Sequence, residues 1–382
     1  MAKRVENINP EIIEWAITRA GNNLDDFLLS NPKVKGWIDG TTMPTIKQLE
    51  WFTNKVHVPL GYMFLEEPLH EEIPIPFFRS GNENPQAESI SLNVSDTIHI
   101  LQERQAWLTE YLTSSDYEDL DFVGKFDLTT PYQIIVNDIK SKLGLSDDWA
   151  SHFNTWEEAL NHLTIVIEEA GIIVTFNGVV GNNTKRVINP DECRGFVLVD
   201  KKAPFLFVNS SDAKAAQMFT IIHELAHIWL GKTAGFDFRQ MLPADDPVEI
   251  LCDKVAAEFL VPERFFITKW RENSDFKYLS RIFKVSQIVI ARRALDMNLI
   301  LRSEFFDFYN NYIQSVKLKK ETSKSSGGNF YATAKKRISL RFAAYVNNAV
   351  NQNVLLYRDA FKLTTLKGDT YRKFVNEYLF QQ

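Results

Sequence analysis

Apolar residues along this chain recur mostly at helical spacing, with three short clusters that read as strands. Ile12, Ile13, Trp15, Ala16 and Ile17, then Leu24, Phe27 and Leu28, predict short helices between residues 10 and 68, with a further helix from Thr45 to Phe52. Val94, Ile98, Leu101, Leu108 and Leu112 mark one side of a long helix, and Thr155-Trp156-Glu157-Glu158 is a capping box opening a helix to about Ala170. Ile172–Phe176, Gly195–Val199 and Phe205–Val208 are the strand signals. Asp200–Pro204 is too short for a crossover helix, so the last two strands are expected to pair antiparallel. Asn209–Asp212 should cap the apolar helix that follows, and Val248–Leu260 is a further helix stopped by Pro262. The pattern predicts a mostly helical α+β fold with a small antiparallel sheet.

One helix carries candidate chemistry. In His223-Glu224-Leu225-Ala226-His227 the two histidines project from the same helix face, so both imidazoles can reach one metal ion. Glu224 lies beside that position, placed to take a proton from water. Phe219–Ile222 and Ile228–Leu230 make the surrounding helix apolar, which excludes bulk water and strengthens local fields.

A catalytic zinc takes three protein ligands and keeps one open position. Leu230 and Thr233 stand where a third histidine site on the same segment would want Gly and His, so the third ligand must come from another helix. Glu249 is the favoured carboxylate. Asp253, four residues on and on the same face, would hold the other ring nitrogen of a ligating histidine. Glu258 is the rival, but its offset from Glu249 turns it to the other side of the helix. Cys252 falls on the apolar face and reads as a small core residue, with a redox role near the metal as the other reading.

His223–His227, Glu249 and the run Ala256-Ala257-Glu258-Phe259-Leu260-Val261-Pro262 together resemble the ImmA/IrrE-type metallopeptidases. The resemblance spans roughly residues 75 to 300. It implies a zincin-like core flanked by helical modules, zinc as cofactor, and a protein substrate, typically a partner regulator such as a transcriptional regulator. By position it implies that His223, His227 and Glu249 are ligands and Glu224 the general base. The chain departs from many members at Leu251, where they carry an acid.

The order of helices in residues 1–70 resembles the lambda-repressor-like helix-turn-helix module that often precedes the peptidase in this family. The stretch from Leu24 to Trp37 is short for a full helix, turn and recognition helix. Only Lys33 and Lys35 add positive charge there, beside Asp25, Asp26 and Asp39. Protein docking or a structural role therefore stands beside DNA reading. Residues 275–301 offer a second such pattern, with Ser286 as cap and Arg292 and Arg293 on the later helix. The alternative there is a helical hairpin completing the core. The expected domains are 1–70, 71–302 and 303–382, with extended linker over Glu71–Ser80 and polar linker over Lys319–Gly328.

Composition narrows the classes. The chain has 382 residues, 45% hydrophobic and 24% charged, enough for several cores. Met1–Pro10 lacks a signal-peptide core, no apolar run spans a membrane, and two cysteines cannot build a disulfide framework. A cytoplasmic location without membrane contact is expected. The net charge of −6 argues against a general nucleic-acid coat, but from Asn311 onward 13 Lys/Arg face 4 Asp/Glu. That basic tail either binds nucleic acid or docks on the acidic body. Two functions remain in view: zinc-dependent cleavage of a partner protein, or a DNA-binding, toxin–antitoxin or phage-immunity regulator whose zinc is structural.

Overall fold

The computed structural model describes residues 4–6, 8–69, 77–78, 90–236, 246–322 and 330–379. The chain divides into two compact units: Met1–Pro74 with Gln86–Ile98, and Ile75–Pro85 with His99–Gln382.

The first unit is built from α1 (Pro10–Arg19), α2 (Leu24–Ser30), α3 (Pro32–Ile38), α4 (Ile46–Val56) and a 3-10 turn at Leu60–Phe64. Each start has a local cause: Asn9 caps α1 with Pro10 at its first position, Asn23 caps α2, and Thr45 and Gln48 form a reciprocal capping box on α4. Ile12, Ile13, Ala16, Val34, Leu49, Phe52 and Met63 bury their side chains together. The helices of the proposed turn motif are both present but compressed, with Asn31 alone between α2 and α3.

In the second unit the chain runs through β1 (Phe77–Phe78), the part of α5 (Leu92–Ser114) from His99 on, α6 (Tyr132–Leu143), α7 (Trp156–Glu169), β2 (Ile173–Phe176), β3 (Val179–Val180), β4 (Asn183–Val187), β5 (Gly195–Leu198) and β6 (Phe205–Val208). Next come α8 (Lys214–Leu230), β7 (Ala234–Phe236), α9 (Pro247–Leu260), α10 (Glu263–Glu272), α11 (Phe276–Phe283), α12 (Gln287–Asp296) and α13 (Arg302–Thr322). Helices α14 (Phe330–Ile338), α15 (Leu340–Asn351), α16 (Tyr357–Thr364) and α17 (Gly368–Tyr378) complete it. The linker expected over Glu71–Ser80 lies outside the described residues apart from β1. That expected over Lys319–Gly328 is helical to Thr322 and lies outside them beyond that point.

The main sheet is ordered β1-β7-β5-β6-β2. β5 and β6 pair antiparallel as their short connection requires, with Gly195 opposite Val208 and Leu198 opposite Phe205. The sheet as a whole is mixed rather than antiparallel: β2 runs parallel to β6, and β1 parallel to β7. These parallel pairs join strands far apart in sequence, which a local hydrophobic pattern does not register. β2, β5 and β6 are buried along their whole length because both faces are covered. Val174, Val197, Leu206 and Val208 pack with α8 in the main core, while Phe205 meets Phe342 of α15 edge-on at 5.6 Å.

The basic C-terminal residues dock within this unit. Lys336 pairs with Glu157 at 3.0 Å, and Arg341 donates to the Glu168 carbonyl at 2.6 Å. In the other direction Arg104, buried on α5, donates to the Leu363 carbonyl at 2.8 Å.

Candidate metal centre

Outside the motif α8 is mostly apolar, with Lys214, Gln217 and Thr220 as its other polar residues, and from Thr220 to Leu230 every side chain is buried. No side chain caps it at Ala213. Gln217 reaches back, its Nε2 donating to the carbonyls of Ser210 (3.1 Å) and Asp212 (2.6 Å), which ties the first turn to the preceding loop; the side-chain cap expected from Asn209–Asp212 is not formed among the described residues. Gly231 ends the helix at φ 67, where a β-carbon would also stand only 3.0 Å from the Gly124 Cα.

α9 starts at Asp246, whose side chain accepts from Val248 N, with Pro247 at the first position. It packs along α8 through Cys252, Val255 and Ala256. The crossing brings three potential ligand side chains together. Glu249 Oε2 lies 3.0 Å from His223 Nε2, Glu249 Oε1 lies 3.2 Å from His227 Nε2, and the two Nε2 atoms are 3.2 Å apart. Asp253 Oδ1 lies 3.0 Å from His223 Nδ1, on the ring's other nitrogen.

Electrostatics within the pocket favour a positive charge at His223 beside the Glu249 carboxylate. Burial opposes a charged His223, yet the hydrogen bonds and charges of Asp253 and Glu249 outweigh it and raise its pKa to about 10. Burial likewise opposes the Glu249 carboxylate, but the two histidines hold it down at about 2. His227 is pushed below its ordinary value, chiefly by burial. Glu224 is lifted well above the carboxylate range by burial, and both its oxygens lack a hydrogen-bond partner among the described residues.

These observations fit a zinc ion. Tetrahedral zinc with bonds of roughly 2.0–2.1 Å sets its nitrogen and oxygen ligands about 3.3 Å apart, close to the spacing seen. A cation would replace the proton that His223 otherwise carries. Orphaned, fully buried Glu224 oxygens call for a polar occupant beside the ligands.

Cys252 belongs to the same cluster. Its Sγ lies within 4.8 Å of the ligand nitrogens of His223 and His227. The sequence reads it as a small core residue or a thiol near the metal; it is both buried and close to the ligands, as its position three residues after Glu249 suggests. Burial, followed by the neighbouring charges of Glu249 and Glu224, lifts the thiol pKa well above its usual value.

Glu258 is excluded from the cluster. It forms an ion pair with Arg293, accepts from Glu263 N at 3.2 Å, and thereby ties α9 to α10 and α12. Arg293 also donates to the Val261 carbonyl at 3.0 Å, so this candidate nucleic-acid contact is instead turned inward to hold the helix ends. Arg292 is exposed and pairs with Asp296 at 3.0 Å; Lys33 and Lys35 are exposed on α3.

Gly195 is a further residue that sequence reasoning left unremarked. It faces α8, where a β-carbon would stand 2.4 Å from Thr220 Cγ2, 2.8 Å from the Phe207 carbonyl and 3.4 Å from Glu224 Oε1. Only glycine lets β5 lie this close to the motif helix.

Comparison with known families agrees with this geometry. Residues 167–295, about a third of the chain, match the family described as the IrrE N-terminal-like domain. The match makes this segment a domain of metallopeptidase type, in agreement with the family that the His223–His227 motif resembles. A peptidase domain implies a protein substrate. Residues 338–377 match a second family, described only as a domain of unknown function, DUF8813. No curated protein matches the chain. Among the described residues no helix is long and apolar enough to cross a membrane.

Proposed function

We propose that the chain is a zinc-dependent endopeptidase that cleaves a partner regulator protein. His223, His227 and Glu249 hold the zinc, and Asp253 orients His223. The observation that carries this reading is the meeting of the two histidine Nε2 atoms with the Glu249 carboxylate oxygens at 3.0–3.2 Å, beside a fully buried Glu224 whose oxygens have no hydrogen-bond partner among the described residues. A zinc ion held there supplies Lewis acidity, polarising a scissile carbonyl and acidifying water.

The remaining work falls to the chain's own side chains. Glu224 accepts a proton from the attacking water and hands it to the leaving amine. Burial raises its proton affinity above that of an ordinary carboxylate, the direction that a proton-accepting group needs. Asp253 fixes the His223 tautomer by accepting from Nδ1. The apolar residues of α8 keep bulk water from the reacting groups.

The proposed organisation keeps residues 1–70 and 303–382 as modules flanking the peptidase domain of 71–302, with zinc as the cofactor and the cytoplasm as the working compartment. The rival reading, a DNA-binding or toxin–antitoxin regulator with structural zinc, finds less support, because Arg293 is committed to Glu258. The deciding experiment pairs zinc analysis with capture of partners from lysate by Glu224→Gln. The expected result is full zinc content, no cleavage, and an intact partner that the unmodified chain cuts. Undiminished cleavage by Glu224→Gln would refute the role of Glu224.

A further inference from the structure

β5 is the strand that borders the candidate metal centre, since Gly195 faces Thr220 and Glu224 across the gap to α8. A peptide bound in extended form beside Glu224 would take its main-chain hydrogen bonds from the nearest strand edge. One edge of β5 is occupied by β6. The other is taken by the chain itself: Gly195 pairs with Phe236, Phe196 with Gly235 and Val197 with Ala234, all antiparallel. β1 then pairs with the outer side of β7, Phe77 opposite Gly235 and Phe78 opposite Phe236.

We propose that Ala234–Phe236 occupies the lane of the peptide substrate along β5, so that the folded chain is self-inhibited until an extended segment displaces this strand. The inference rests on the peptidase reading above and deepens it by naming what regulates the site.

Three features of the backbone favour an exchangeable occupant. β7 contributes three residue pairs to β5, whereas β6 contributes four, and β1 covers β7 through only two. Its middle residue is glycine, which weakens a strand interior. Its root is fixed independently, because Val199 N donates to Thr233 Oγ1 at 3.0 Å, so the three residues beyond Thr233 can separate without undoing the end of α8. A displacing peptide regains the same main-chain hydrogen bonds on β5, which makes the exchange nearly balanced. The substrates selected are extended segments of at least a few residues, running antiparallel to β5.

The test uses the full zinc-loaded chain and two probes, acetohydroxamate and a tripeptide hydroxamate. In Val197→Cys/Ala234→Cys a disulfide pins two residues that lie directly opposite. The oxidised form should bind the tripeptide probe about tenfold or more weakly than the same protein reduced. Gly235→Pro, which bars the strand from the ladder, should bind it about tenfold more tightly than the unmodified chain. Amides of residues 234–236 in the unmodified chain should exchange faster once the tripeptide probe binds. Equal affinity in the oxidised and reduced forms, or unchanged protection of residues 234–236, overturns the proposal while zinc and acetohydroxamate binding leave the peptidase reading standing. Failure to bind zinc and acetohydroxamate at all sinks both.

Discussion

The Asp253 carboxylate lies 3.0 Å from Nδ1 of His223, while Glu249 lies 3.0 Å from Nε2 of the same ring. Two acids one turn apart on α9 thus grip one imidazole of α8 from both sides, and only the Nε2 side faces His227. Asp253→Ala should weaken zinc binding by about 10- to 100-fold, while the zinc-saturated protein keeps most of its turnover. Competition with a chelator of known affinity measures the first effect. An unchanged affinity would show that Asp253 does not position the ring.

Glu249 and Glu258 share a helix but not a face, and their substitutions should separate cleanly. Glu249→Gln should lose zinc. Glu258→Gln should keep zinc but lose stability on the order of 3 kcal/mol, because Arg293 would be left without its partner. Zinc stoichiometry and denaturant unfolding of the two variants make the comparison; zinc loss in Glu258→Gln rather than Glu249→Gln would reverse the assignment.

That contrast also shows which parts of the site are legible in the order of amino acids alone. The facing of His223, His227, Glu249 and Asp253 follows from helical period, because each pair lies within one helix. The expected antiparallel pairing of β5 and β6 followed from the five residues expected between them. β7 and β1 escaped notice because Ala-Gly-Phe and Phe-Phe carry no alternation and owe their pairing to distant strands. Arg293 was open to reading as a nucleic-acid contact because its partner Glu258 sits 35 positions earlier. The basic C-terminal run left docking and nucleic-acid binding open, and Lys336 and Arg341 are placed in docking contacts.

Glu168 should make stability depend on pH. Burial is the largest influence on its carboxyl and raises the pKa to about 7, although the Ser339 hydroxyl donates to it and Arg341 lies near. The folded chain then holds a proton that the unfolded chain releases near pH 4.5. Stability should therefore fall as pH rises from about 4.5 to about 7, by roughly 1–3 kcal/mol after allowing for partial exposure, and level off above that. Glu168→Gln should flatten this part of the profile in denaturant titrations at stepped pH. A slope that survives in the variant would place its origin elsewhere.

Gly195 should tolerate no side chain. Gly195→Ala puts a carbon 2.4 Å from Thr220 Cγ2 and 2.8 Å from the Phe207 carbonyl, so α8 or β5 must shift. The expected cost is about 1–3 kcal/mol, together with a loss of cleavage larger than the loss of zinc, since the carbon also approaches Glu224. Melting curves, zinc content and turnover of this variant check all three; wild-type turnover would show that the close approach is dispensable.

X-ray absorption at the zinc edge of the zinc-loaded chain puts the proposed coordination to the sharpest test, because it distinguishes sulfur from nitrogen and oxygen. The expected spectrum contains two imidazoles and other light ligands at about 2.0–2.1 Å, leaving Cys252 unbound. A sulfur neighbour at about 2.3 Å would mean that Cys252 closes the site, and a catalytic centre of His223, His227 and Glu249 would be contradicted.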